Sequence, residues 1–86
     1  MGGEIDILEG VHDYTNNQAT LHTASGCRLP SGATSRSLAI QGNLVGGSNC
    51  AALETGNEGC GVRSTSSTTF GAGFNSVNGG VYASKY

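Results

Sequence analysis

Tryptophan is absent from this 86-residue chain, proline occurs once, and Lys and Arg together number four. Each shortage excludes something. Four basic residues against six acidic ones leave no patch able to neutralise a run of phosphates, so a nucleic-acid partner is not expected. No apolar run approaches the roughly 18–20 residues that a membrane helix needs, so no membrane partner is expected either. There is no sustained heptad, no collagen period and no internal repeat. The net charge of −2 is too small to define a partner. No basic n-region followed by an apolar h-region opens the chain, so a signal peptide is not expected within it.

What the chain has in plenty is glycine, with 15 residues, and nearly half of the sequence is Gly, Ser, Thr or Asn. Glycine costs backbone entropy when it is ordered, and only two Phe and three Tyr offer aromatic bulk. A chain of this size needs a compact core or staples to fold alone. Either its cysteines supply a staple, or the chain is one part of a larger domain.

The cysteines are Cys27, Cys50 and Cys60. Three is odd, so at least one is free or pairs elsewhere. A Cys50–Cys60 disulfide would close a short Gly/Asn-rich loop and suit a secreted protein. No pair has C-x-x-C spacing, and His12 and His22 are not placed as zinc-finger ligands, so no metal site is expected.

Helix signals are poor throughout. Gly3 to Val11 is the strongest strand candidate, because Glu4-Ile5-Asp6-Ile7 alternates acidic and apolar residues with a period of two. Gln18 to Thr23 alternates again. The intervening His12–Asn17 reads as a turn, which makes the two strands antiparallel neighbours. Ser25–Asn49 reads as a long loop interrupted only by Leu38-Ala39-Ile40. Ala51–Thr69 shows no clear regular structure, Gly71–Asn78 reads as a turn region, and Gly80–Ser84 as a third short strand.

Glu4-Ile5-Asp6-Ile7-Leu8-Glu9 is the informative hexapeptide. Carboxylates so close together repel, and acidic residues are poor strand formers, so their presence here is a local inconsistency of the kind that marks functional sites. On a regular strand Glu4 and Asp6 share a face and Glu9 points to the other. A β-bulge near Ile7-Leu8 would return Glu9 to the face of Glu4 and Asp6, with Ile5 and Ile7 turned into a core. Two Glu carboxyls then come within roughly the 5–6 Å that a retaining glycosidase requires. One would attack the anomeric carbon, and the other would protonate the leaving oxygen with its pKa raised for that task. Asp6 would hydrogen-bond the nucleophile. His22, on the neighbouring strand, would hydrogen-bond Asp6 or a Glu. The same alternation also describes an ordinary edge strand whose charges oppose edge-to-edge pairing.

Gly2-Gly3-Glu4-Ile5-Asp6-Ile7-Leu8-Glu9-Gly10-Val11 resembles the active-site strand of glycoside hydrolase family 16 in its bulged Glu-x-Asp-x-x-Glu form. The resemblance continues in order through Thr15-Asn16-Asn17-Gln18, Thr20-Leu21-His22-Thr23, Gly26-Cys27, Asn49-Cys50, Gly59-Cys60-Gly61-Val62, Phe70–Asn75 and Gly79–Ala83. These segments are similar to fungal laminarinase-like endo-1,3(4)-β-glucanases. The resemblance implies an all-β, concanavalin-like β-jelly-roll sandwich, of which residues 1–86 are a fragment of the catalytic domain. It implies Glu4 as nucleophile, Asp6 as assisting carboxylate and Glu9 as general acid/base, with His22 beside the site. It implies a β-1,3 or mixed β-1,3/1,4-glucan as substrate, no cofactor, and a secreted parent protein. The strands and aromatic residues that precede the motif in the family are not in this chain, so the isolated 86 residues are expected to be weakly active or inactive. A non-catalytic or vestigial glycan-binding protein is the alternative, and a small disulfide-held domain is a third.

Overall fold

The computed structural model describes residues 2–85. Four strands form one antiparallel sheet: β1 (Glu4–Glu9), β2 (Gln18–His22), β3 (Asn43–Gly46) and β4 (Cys60–Arg63). A single short helix, α1 (Gly71–Ser76), follows them. The sheet order is β1-β2-β4-β3, which leaves the acidic strand at one edge.

The two strands with the clearest alternation form and pair as neighbours. Glu4 lies opposite His22, Ile5 opposite Leu21, and Asp6 opposite Thr20. The register then shifts, so that Glu9 lies opposite Gln18. β1 advances three residues there while β2 advances two, which is the count of a β-bulge. The bulge falls within Asp6–Glu9, where the alternation of the sequence breaks.

The remaining elements were not visible in the sequence pattern. β3 lies inside the stretch expected to be a loop, and β4 lies inside the stretch without clear structure. Each has four residues, two of them Gly between the pair, so neither shows more than one apolar/polar alternation. Both exist because they pair with each other and β4 pairs with β2. Helix α1 replaces the expected turn at Gly71–Asn78. It has no side-chain N-cap and no buried residue, and its Gly content lowers its intrinsic propensity, so only its tertiary setting holds it. Gly80–Ser84 is not a strand. Its Tyr82 packs against Phe74 of α1, with ring centroids 5.9 Å apart, and its hydroxyl donates to the Thr69 carbonyl. That contact draws the segment to the helix rather than to a sheet edge.

Among the described residues the buried apolar set is small: Cys50, Ala51 and Cys60. Cys50 and Cys60 form a disulfide that ties β4 to the loop before it. Cys27 is free and exposed. Ile5 and Ile7 are not buried as expected, being 55% and 40% exposed. The face of the sheet that carries Ile5, Ala19, Leu21, Leu44 and Val62 is an open apolar trough of about 370 Å³. The expected apolar stretch near Leu38 partly covers it, since Leu38 and Ile40 line its wall. The physical reason for the exposed isoleucines is that no second layer of the described residues lies over β1.

Candidate active site

The other face of the sheet is polar. With the bulge in place, Glu4, Asp6 and Glu9 on β1 face the same way as Gln18, Thr20 and His22 on β2. Arg63 on β4 lies opposite Gln18 and joins this face. Glu4 is exposed, whereas Asp6 and Glu9 are partly buried. Thr20 and His22 are among the most buried residues described.

The hydrogen bonds run diagonally across the two strands. His22 Nε2 stands 3.1 Å from Asp6 Oδ2, although the register pairs His22 with Glu4. Thr20 Oγ1 donates to Glu9 Oε1 at 2.5 Å, although the register pairs Thr20 with Asp6. Gln18 Nε2 donates to Thr20 Oγ1 at 3.0 Å and reaches Glu9 Oε1 at 3.5 Å. Arg63 Nη2 donates to Gln18 Oε1 at 2.7 Å, and its guanidinium lies over the Tyr14 ring, 4.9 Å from the centroid. Glu9 is thus held by a chain that starts at a stacked cation and passes through an amide and a hydroxyl. None of these bonds goes to Glu4, which leaves its carboxylate open to a ligand on the face.

A carboxylate accepts, so His22 Nε2 carries the hydrogen that faces Asp6. Nδ1 is buried with no hydrogen-bond partner among the described residues. It faces Gly59, where an added Cβ would stand 2.9 Å from Nδ1 and 2.5 Å from the Leu21 carbonyl oxygen. Gly59 also adopts φ +64°, a region that side chains disfavour. The glycine lets β4 pass close enough to fix the imidazole from behind.

Glu4, Asp6 and His22 each place one potential ligand atom within 4.8 Å of the others, an arrangement that could hold a divalent cation. A cation bound through Nε2 would have to displace the proton that His22 shares with Asp6. No helix of the described residues is long and apolar enough to cross a membrane.

Glu4, Asp6, Glu9 and His22, the candidate residues of the sequence, all lie on one face. Gln18, Thr20 and Arg63 join that face, although the sequence pattern alone does not single them out. The first two were legible in principle, since the period of β2 puts Gln18 and Thr20 on the same side as His22. Arg63 carried no such signal, because β4 itself was not recognised.

The sheet carries a bulged acidic edge strand beside a Gln/Thr/His strand, the arrangement expected of a glycoside hydrolase active-site strand. The whole chain, residues 1–86, matches the family model described as "XgeA-like, catalytic GH16 domain", and the chain belongs to glycoside hydrolase family 16. It is 42% identical over 86 residues to a probable glycosidase of Schizosaccharomyces pombe, covering 94% of this chain and 19% of the relative. It is 37% identical over 93 residues to an endo-1,3(4)-β-glucanase of Arthroderma benhamiae, covering 100% of this chain and 18% of that protein. Among solved structures it is similar to Laminarinase 16A of Phanerochaete chrysosporium holding 6-O-glucosyl-laminaritriose in donor and acceptor sites. That match has a TM-score of 0.75 and 39% identity, over 92% of this chain and 24% of the laminarinase. The chain thus spans about a fifth of the length of the curated relatives it matches. Its fold class is all-β, and its sheet is part of a β-jelly-roll sandwich.

Proposed function

We propose that residues 1–86 carry the catalytic strand of an endo-acting, retaining β-glucanase that cleaves β-1,3 or mixed β-1,3/1,4-glucans. The observation that carries this reading is the bulge, which sets Glu4, Asp6 and Glu9 on one face beside His22. The names of the relatives, endo-1,3(4)-β-glucanases and a laminarinase, support the substrate class.

In this reading Glu4, exposed and uncommitted, attacks the anomeric carbon. The bond to the leaving sugar breaks, its electron pair goes to the glycosidic oxygen, and that oxygen takes the proton of Glu9. Glu9 then removes a proton from water, whose oxygen attacks the same carbon and releases the Glu4 carboxylate. Thr20 and Gln18 keep the Glu9 carboxyl aimed through both steps. Asp6 lies between the two glutamates and is fixed by the His22 N–H, and it orients the nucleophile. No cofactor enters this scheme.

The uncovered trough beneath the sheet supports a second part of the reading. Residues 1–86 are one section of a catalytic domain, and alone they hydrolyse glucan weakly or not at all. The Cys50–Cys60 disulfide suits an oxidising compartment, so the parent protein is proposed to be secreted.

The test is a full-length family 16 domain carrying these 86 residues, assayed for reducing ends released from laminarin and lichenan. Glu4→Gln is expected to remove activity. Azide is expected to restore turnover of an activated aryl glucoside by Glu9→Ala. Unchanged release by Glu4→Gln would overturn the nucleophile assignment. Glucan binding without turnover by the unmutated domain would favour a non-catalytic, glycan-binding protein instead.

A further inference from the structure

A β-bulge leaves backbone groups without ladder partners, and buried backbone groups must be paired somewhere. Here the two groups that flank the extra residue are the Ile7 carbonyl and the Glu9 N–H. Both are taken by one side chain. Asn17 Nδ2 donates to the Ile7 carbonyl oxygen at 2.8 Å, and Asn17 Oδ1 accepts from Glu9 N–H at 2.9 Å. The partners fix the orientation of the amide, because a carbonyl needs the NH₂ and an N–H needs the oxygen. The carboxamide stands in for a strand's peptide unit across the bulge.

Asn17 is itself immobilised. It is only 6% exposed. Its own N–H donates to Thr69 Oγ1 at 2.8 Å, and its carbonyl accepts from Ser64 N–H at 2.8 Å. Thr69 Oγ1 in turn donates to the Ser66 carbonyl at 2.9 Å. The segment after β4 therefore clamps Asn17, and Asn17 clamps the bulge. Gly10, directly after Glu9, lies against the Phe70 ring, where an added Cβ would be 2.7 Å from Cε1. The residue that follows Asn17, Gln18, is the one paired with Glu9. A slip of one residue at this point would turn Glu9 to the opposite face.

We propose that Asn17 is the positioning residue of Glu9: by bridging the Ile7 carbonyl and the Glu9 N–H, it fixes the bulge that aims the Glu9 carboxyl at the site. This rests on the reading of Glu9 as general acid/base. Asn17 touches no reacting atom, so its loss should resemble a partial loss of Glu9 rather than a general loss of fold. Asp at position 17 has nearly the same shape and still accepts from Glu9 N–H. It has no donor for the Ile7 carbonyl, so it breaks half of the bridge.

The experiment compares two substrates of the full-length domain that share a laminaribiosyl glycone. One is a laminari-oligosaccharide, whose sugar leaving group needs protonation. The other is the 2,4-dinitrophenyl glycoside, whose leaving group does not. Asn17→Ala and Asn17→Asp are expected to lower kcat on the oligosaccharide by about 10²-fold, with KM little changed. Release of the first dinitrophenolate should change by no more than about threefold, and azide should accelerate turnover of the aryl glycoside. Equal losses on both substrates, or no loss on either, would overturn the proposal. Should neither variant fold, Thr69→Val removes only the hydroxyl that accepts from Asn17 N–H. It is judged by the same criterion, with an expected loss of about fivefold on the oligosaccharide alone. Glu9→Ala is run in parallel. If it lacks the leaving-group signature, the acid/base reading itself fails. If it shows the signature and the variants above do not, only the role of Asn17 fails.

Discussion

His22 bonds to Asp6, two residues along β1 from Glu4, the residue it directly faces, with Nε2 3.1 Å from Oδ2. Thr20 makes a similar diagonal step to Glu9. Diagonal neighbours on a sheet lie within reach of long side chains. The consequence is an unequal division: Asp6 and Glu9 each gain a donor from β2, and Glu4 is left exposed. In the proposed mechanism the division suits a free nucleophile, Glu4, and an acid/base, Glu9, whose carboxyl is held on target. Removing the imidazole by His22→Ala should leave Asp6 without its donor. Hydrogen bonds to charged groups are worth about 1.5–3 kcal/mol, so kcat/KM on laminarin should fall by roughly 10–100-fold. An unchanged kcat/KM would show that Asp6 does not depend on His22.

Thr20 separates shape from hydrogen bonding. Thr20→Val keeps the branched side chain that suits a strand and deletes the hydroxyl that donates to Glu9. A loss of about tenfold in kcat/KM is expected, and Thr20→Ser should retain most of the activity. Equal rates for the Val and Ser variants would mean that the hydroxyl has no part in the reaction.

Gly59 is constrained twice, by its left-handed backbone and by its approach to Leu21 and His22. Gly59→Ala should cost about 1–3 kcal/mol of folding stability, read from chemical denaturation of the full-length domain. The His22 side chain would also have to move, so activity should fall beyond what the loss of folded protein explains. Wild-type stability and activity together would refute both statements.

The Cys50–Cys60 disulfide closes a loop with a sequence separation of 10. Chain-entropy arguments give such a loop about 3 kcal/mol of stabilisation. Reductant should therefore lower the denaturation midpoint of the oxidised protein. Alkylation of the unreduced, denatured 86-residue chain should label one thiol, Cys27. Three labelled thiols without reductant would show that the bridge does not form.

The isolated 86-residue chain should bind a hydrophobic dye and unfold without a sharp transition. Its trough of Ile5, Leu21, Leu44 and Val62 is open, and its buried apolar residues are small ones. A cooperative melt with no dye binding would show that the sheet is sufficient by itself.

The acidic strand, its neighbour β2 and the side on which Glu4 and Asp6 lie are all legible in the residue pattern. Alternation with a period of two is a local property, and six residues in a row are enough to display it. The position of the bulge was legible for the same reason, as the place where that alternation fails. Tertiary structure alone decided the rest. β3 and β4 are four-residue strands that exist through pairing with distant residues, and α1 is a helix against its own propensity. The clamped Asn17 bridge and the Arg63–Gln18–Thr20 chain behind Glu9 depend on segments far apart in the chain meeting at one place. Which isoleucines are covered was also beyond the pattern. Periodicity tells which face of a strand is apolar, but burial depends on whether another layer lies over that face.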